Sequence, residues 1–523
     1  MKRVLLTTVH RPLGVESETC TPNIQAEMYH AQLTRAQGPF SIRSVCTGWG
    51  VEFIAANLEA PVTVMHYPTK RAFLRELSRG YDYVGVSFVI CTYPKTVEIC
   101  RLIREAAPAT KIILGGYGAV LPECDALADH VCREEGVGFM RRLLGEPALE
   151  SFRFPVIRRR LEVMSASARP ETILPAGLGC SRGCDFCCTS HYFHRRHVPL
   201  LRSGREIHEA IRAVDDGRGG HQNVGIIDED FLADRSRIED LIDLNGRQVE
   251  RPILFSCLTS VESVAQYTDD ELLSMGLSGV WIGVESRRAR YPKLMAASVP
   301  DTFARLRRLG IVTVASMIVG LDWHDEATIE EDFHYLLSLE PCFSQFMIYS
   351  PCPQTPLFSR MREEGRLLDV PYKLHDGFHA LFRHSVLSPE RLEAIVEDLF
   401  RREYEALGPS VCRVLETQFA GWTTLKDRPE PLLRARAREH RALALEIHPV
   451  LVAAIARAPS PEVRTRLREL RDRMERALEI PYAVRLRGAA APALALYTTL
   501  RDRLQPNRQP PSEIHRFRQE PRA

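Results

Sequence analysis

Cys180, Cys184 and Cys187 stand in the run G-C-S-R-G-C-D-F-C that begins at Gly179. Three thiols at this C-x-x-x-C-x-x-C spacing cannot pair as disulfides without leaving one over. As thiolates they select a soft centre, iron–sulfur or zinc, over hard cations. A cubane 4Fe–4S cluster held by three of them keeps one iron open for a small molecule, as a catalytic cluster requires. Cys188 offers a fourth thiol, and His191, His194 and His197 follow closely, so a structural zinc site draws on the same stretch. The basic run His194-Arg195-Arg196-His197 also reads as a solvated loop without a ligand role.

Composition narrows the chemistry. With 523 residues, two to four domains are expected. The charge is nearly balanced, 69 basic against 67 acidic residues, so no global basic field points to nucleic acid. The 14 cysteines form no disulfide-like framework. The start M-K-R-V-L-L-T-T-V-H reads as a first strand rather than a signal peptide. No apolar run approaches the roughly 18 residues that a membrane-spanning helix needs. These features suggest a soluble, cytoplasmic protein, in whose reducing compartment an oxygen-sensitive cluster fits.

The elements that must position the cysteines follow from short apolar runs. In the first 150 residues, Val4–Val9, Val62–His66, Val84–Ile90 and Lys111–Leu114 read as strands, with a helix from Tyr93 to Ala107. Alternating strands and helices argue for an α/β fold with a doubly wound, Rossmann-like parallel sheet, whose ligands sit beyond the carboxyl ends of the strands. The long segment from Arg11 to Pro61 reads as a covering flap or a reach over the active site. After a polar linker near residues 165–171, six strands alternate with helices: Thr172–Leu178, Val224–Asp228, Ile253–Cys257, Val280–Val284, Thr313–Val319 and Gln345–Tyr349. Asp228, Glu229 and Asp230 end the second of these, Glu285 and Ser286 the fourth, and Gly320 the fifth, where barrel chemistry sits. Acids at such ends also serve as helix N-caps, a reading that suits Asp230 and Asp325.

From Pro371 to residue 505 a helical, arginine-rich region follows. Ser388-Pro389-Glu390-Arg391 is a helix start, and Leu432–Ile447 and Pro461–Leu478 are helical patterns, the first stopped by Pro449. Their arginines read as solvated faces, with peripheral membrane or lipid contact as a secondary reading. Residues 506–523 read as a disordered tail.

The cysteine spacing, the aromatic Phe186 and the preceding apolar strand resemble the radical S-adenosylmethionine (SAM) signature. The resemblance implies a partial (β/α)6 barrel over residues 165–370, in which the open iron chelates SAM. It places Phe186 near the adenine and makes Glu285 and Ser286 the SAM contacts. The first 150 residues resemble the cobalamin-binding domain that precedes many such barrels, through S-F-V-I-C-T-Y-P (87–94), I-I-L-G-G-Y-G-A (112–119) and A-D-H-V-C-R-E-E-G (128–136). There Ser87, Gly115 and Gly116 would line the slot for the nucleotide tail. The usual D-x-H-x-x-G is absent, and His10 with Gly14 forms only H-x-x-x-G, so His10 is read as a loop residue.

The implied activity is that of a cobalamin-dependent radical SAM enzyme served by an external reductant of the flavodoxin or ferredoxin type. It would methylate an unactivated carbon of a small-molecule or lipid substrate, using a 5′-deoxyadenosyl radical and methylcobalamin. The alternatives are a cyclase or oxidoreductase with the same cofactors, and a zinc-stabilised, non-catalytic cobalamin-binding protein.

Overall fold

The computed structural model describes residues 2–214, 223–248, 252–295, 297–505 and 508–518. Two parallel sheets dominate it. The first contains β1 (Val4–Thr7), β2 (Val62–His66), β3 (Tyr83–Ser87), β4 (Lys111–Gly115) and β5 (His130–Val131), in spatial order β2-β1-β3-β4-β5. The central strands β1 and β2 are buried throughout, so their sequences are continuous apolar runs with few polar breaks. This is a doubly wound order, with its topological switch between β1 and β3, where open α/β sheets place their ligands. Register puts Ser87 beside Gly115 at the carboxyl ends of β3 and β4.

The second sheet holds seven strands. β6 (Ile157–Arg159) runs antiparallel to β7 (Glu171–Pro175). From β7 the sheet continues in parallel through β8 (Asn223–Ile227), β9 (Leu254–Thr259), β10 (Leu277–Glu285), β11 (Val312–Val319) and β12 (Phe343–Ile348). Each strand pairs with the next in sequence, which gives an open arc of six parallel strands with helices in the connections. Leu174, Ile226, Phe255, Ile282, Ala315 and Phe346 fill its core, all fully buried or nearly so.

The segment between β1 and β2 bridges the molecule. Its helix Met28–Leu33 packs on β12, where Gln345 donates to Gln32 at 2.9 Å, and Gln37 bonds Ser410 farther on. Helices Pro389–Leu407, Ser410–Leu425, Pro431–Ala456, Pro461–Ala477 and Tyr482–Leu504 complete the chain's helical part. Ser388 accepts from the Arg391 amide, as its capping role required.

Two expectations are corrected here. Pro449 does not stop its helix, which runs on to Ala456. Proline removes one backbone donor, but Pro449 and the following Leu451, Ala453 and Ala454 are buried, and that packing offsets the lost bond. Nor are all residues from 506 onward disordered. Glu513–Phe517 forms β13, an antiparallel edge strand zipped onto β2 from Glu513 opposite His66 to Phe517 opposite Val62. Its register is pinned by a bidentate Arg516–Glu76 pair, both bonds 2.8 Å, and by Gln509, which exchanges two bonds with the Leu13 backbone.

Candidate active site

The loop after β7 carries the three cysteines and runs into the helix Cys188–Tyr192. Its shape is set by close approaches. Gly179 has φ +72°, and a Cβ there would lie 2.3 Å from the Arg196 carbonyl. Ser190 Oγ donates to the Cys180 carbonyl at 2.7 Å and accepts from the Gly183 amide at 3.2 Å. The Cys187 amide donates to the Cys184 carbonyl at 3.0 Å. Arg182 ties the loop to the barrel rim through ion pairs to Asp230 and Glu262 and bonds of 3.0 Å to Ser260 and Ser263. Asp230 is thus an anchor of the cysteine loop, accepting also from the Ser260 amide, and not the helix cap its position suggested. Asp325 is a cap, accepting from the Thr328 amide at 2.8 Å.

The donor set fits a cluster. All three cysteines are free and half-buried. Burial above all pushes the Cys187 thiol up to about 12, so these sulfurs ionise readily only against a cation. A single zinc would draw its ligand atoms to within about 4 Å of one another, given Zn–S bonds of about 2.3 Å. Among the described residues the cysteines and their neighbouring histidines form no group that tight. Two of the three histidines are otherwise engaged: His191 bonds the Cys184 carbonyl at 3.1 Å, and His197 bonds Asp228 at 3.1 Å. Asp228 also takes a 2.7 Å bond from Arg237, which makes it a buried structural acid. Cys188 hydrogen-bonds Cys352 of the loop after β12.

A cavity of about 480 Å³ opens beside the loop, lined in part by Cys184, Asp185, Tyr291, Lys293, Trp323 and Tyr349. Phe186 meets two of these lining rings edge-on, Tyr291 at 5.6 Å and Tyr349 at 6.1 Å. Asp185 accepts from both tyrosine hydroxyls, at 3.2 and 2.7 Å. Glu285 ends β10 with a left-handed backbone, φ +64°, a conformation rare for a residue other than glycine. It caps no helix; its carboxylate forms a buried ion pair with Lys293. Burial pulls the Lys293 ammonium down, but Glu285 and Cys184 outweigh it and hold it above its ordinary value. Lys293 also lies 6.0 Å from the Phe186 ring centre. Ser286 is buried next to Glu285, and its hydroxyl accepts from the Arg288 amide at 3.1 Å.

The structure therefore gathers Cys180, Cys184, Cys187, Phe186 and Glu285 at one rim, with Ser286 adjoining. Sequence reasoning missed Lys293, Asp185 and the two tyrosines. It also passed over the state of Glu229, whose carboxyl is raised to about 7 by burial first and Asp228 second. Only the odd backbone of Glu285 signals that its partner lies eight residues on.

Ser87, Gly115 and Gly116 come together at the other sheet. Gly116 has φ +86°, and a Cβ there would lie 2.6 Å from the Phe88 carbonyl and 3.2 Å from Ser87 Oγ. The turn that follows packs on the cysteine-loop helix: Tyr117 meets Tyr192 edge-on at 5.2 Å, and Tyr192 donates to the Cys132 carbonyl at 2.9 Å. His10 is buried, with Nε2 2.8 Å from Glu98, and burial lowers its pKa.

Comparison with known proteins decides the family of the barrel. Residues 174–336 match the radical SAM superfamily. They are a radical SAM domain. Over 388 residues the chain is 26% identical to the anaerobic magnesium-protoporphyrin IX monomethyl ester cyclase of Cereibacter sphaeroides, covering 63% of this chain and 61% of the cyclase. An uncharacterized methyltransferase of Pyrococcus horikoshii is 19% identical over 250 residues, 46% of this chain and 52% of that protein. The chain thus spans between half and two thirds of the length of these relatives. Among solved structures, the radical SAM methyltransferase TsrM of Kitasatospora setae, with tryptophan and a SAM analogue bound, superposes with a TM-score of 0.53 at 13% identity, over 84% of this chain and 99% of TsrM. TsrM with cobalamin and a [4Fe-4S] cluster gives a TM-score of 0.50 at 12% identity, over 85% of this chain. The radical SAM domain and the sheet before it therefore share the TsrM fold.

Proposed function

We infer that the protein is a cobalamin-dependent radical SAM enzyme, and that it methylates an unactivated carbon of a small-molecule or lipid substrate. The observation that carries this reading is the packing of Tyr117, beside the Gly115-Gly116 turn, against Tyr192 of the helix that leaves Cys187. Ligands held by the Ser87 turn and by the cysteine loop would then sit on elements that pack directly on each other. TsrM, solved with cobalamin and a [4Fe-4S] cluster bound, supports both cofactors by likeness of fold.

In this reading Cys180, Cys184 and Cys187 hold the cluster, and Glu285, Ser286 and Phe186 receive SAM. The bound groups supply reductive cleavage of SAM and transfer of a methyl group. The chain's own residues position and exclude. Phe186, Tyr291 and Tyr349 form a dry wall, and Asp185 fixes both tyrosines. Lys293 holds the Glu285 side chain in place until a cationic amino group competes for it. Arg182, through Asp230 and Glu262, keeps the cysteine loop rigid. Ser87, Gly115 and Gly116 would admit the cobalamin tail, and His10, engaged by Glu98, would leave cobalt without an imidazole. Electrons would come from an external flavodoxin- or ferredoxin-type reductant.

The identity to the cyclase favours one second reading, ring formation or oxidation without methyl transfer. Product mass separates the two. Turnover with SAM carrying a labelled methyl group gives a product heavier by that methyl in the first reading, and an unlabelled product in the second.

A further inference from the structure

A second cluster of ligand-type side chains lies outside this site, where the C-terminal strand meets the first sheet. Glu52 comes from the helix Trp49–Ala56, His66 from the end of β2 and His515 from β13. Their nearest ligand atoms all lie within 4.8 Å of one another, and among the described residues this is the one such group of three or more. Glu52 Oε1 is 2.5 Å from His66 Nε2 and 2.6 Å from His515 Nδ1, so both imidazoles converge on one carboxylate oxygen. The two rings meet at 5.6 Å, nearly perpendicular.

We propose that Glu52, His66 and His515 are the ligands of a divalent transition-metal site of the zinc type, which fastens β13 to the edge of the first sheet. Two imidazoles and one carboxylate are a donor set that zinc and similar borderline cations take, with remaining positions left to water. His515 is 463 residues from Glu52 along the chain, so a shared ion would link the far end of the chain to the first sheet with more reach than one hydrogen bond. Glu52 and His66 are almost fully buried, at 6% and 1% side-chain exposure, while His515 is 45% exposed and leaves one side open to solvent.

An ion would replace the two hydrogen bonds to Glu52, since ligands of one zinc stand about 3.3 Å apart. His515 turns Nδ1 toward Glu52, which leaves Nε2 3.9 Å from Glu513 on the same strand. That is beyond hydrogen-bond distance, though on the side where a ligating histidine usually has its carboxylate partner. His66 Nδ1 is buried and without a hydrogen-bond partner; Gly48 lies beside it, where a Cβ would stand 2.6 Å from Thr8 and 3.4 Å from Nδ1.

The alternative is a carboxylate bridging two imidazole N–H groups with no ion. Zinc binding to the full-length chain separates the two. The protein is reconstituted anaerobically so that its cysteines carry iron, stripped with a chelator, loaded with Zn²⁺, desalted and analysed for metals. The wild type is expected to keep one zinc beyond the cluster's iron; His515→Ala and Glu52→Gln keep none, with iron unchanged. Since His515 is exposed, His515→Ala folds even if the buried Glu52→Gln does not, and His515→Asp restores the zinc. Co²⁺ in its place should give visible d–d bands without thiolate charge transfer, and either ion should slow carboxypeptidase trimming past His515. Equal zinc in wild type and His515→Ala, or zinc held through sulfur alone, overturns the proposal.

Discussion

Substitution of Glu285 tests the barrel rim most sharply, because two readings of the residue predict different losses. Its carboxylate and the Lys293 ammonium are paired at 6% and 15% side-chain exposure. Removing one member of a buried pair strands the other charge, at a cost of about 3–5 kcal/mol, whereas replacing both by apolar groups is close to neutral. Glu285→Ala should therefore lower the thermal transition by roughly 6–20 °C, taking about 2–4 °C per kcal/mol for a domain of this size. The double variant Glu285→Ala/Lys293→Met should recover most of that loss. Glu285→Gly should lie above Glu285→Ala by about 1 kcal/mol, since φ +64° suits glycine. If Glu285 also receives the SAM ammonium, all three variants lose SAM affinity, roughly tenfold to a hundredfold for one charge-assisted hydrogen bond, while iron content stays intact. Calorimetry and SAM titration on the same preparations separate the two roles. A double variant no more stable than Glu285→Ala would refute the ion-pair argument. Unchanged SAM affinity in the double variant, with its stability restored, would remove Glu285 from the SAM site.

Further outcomes follow from the first sheet. Gly116→Ala should destabilise the protein measurably by denaturant titration before any ligand is added, because its left-handed backbone and the 2.6 Å approach to Phe88 are demanded by the fold itself; wild-type stability would contradict this. Asp129 is held down to about 2: burial opposes ionisation, but the Ile112 amide, Lys111 and Arg104 outweigh it. A depressed carboxylate stabilises the fold above its unfolded value near 3.8 and loses that contribution as pH falls toward 2. Asp129→Asn should thus cost about 2 kcal/mol at pH 7, with the gap from wild type narrowing below pH 4. His10→Ala should leave the cobalamin spectrum nearly unchanged, since Glu98 already engages the ring; a large spectral shift would make His10 a cobalt ligand.

The sequence was most legible where burial is two-sided. β7 through β12 are apolar-rich runs, and the polar residues that end them mark the rim. The cysteine loop was legible for a different reason, because ligand spacing is a local property. What escaped depends on partners distant in sequence or on backbone shape. Arg182 finds Asp230 and Glu262 only after the barrel closes. Lys293 reaches Glu285 because β10 ends in a left-handed residue, which no periodicity reports. The polar strand E-I-H-R-F at 513–517 is exposed on nearly all its side chains and is held by backbone pairing to β2, so composition alone makes it look unfolded. Pro449 misleads in the opposite direction, its helix kept whole by tertiary packing.

The central claim is that Cys180, Cys184 and Cys187 hold a cluster with one iron open to SAM. Anaerobic reconstitution followed by iron analysis and assay for 5′-deoxyadenosine tests it directly. Wild type and Cys188→Ala should carry about four irons per chain and cleave SAM, while Cys180→Ala, Cys184→Ala and Cys187→Ala should each do neither. Zinc bound through these cysteines, with no iron after anaerobic reconstitution and no SAM cleavage, would contradict the account.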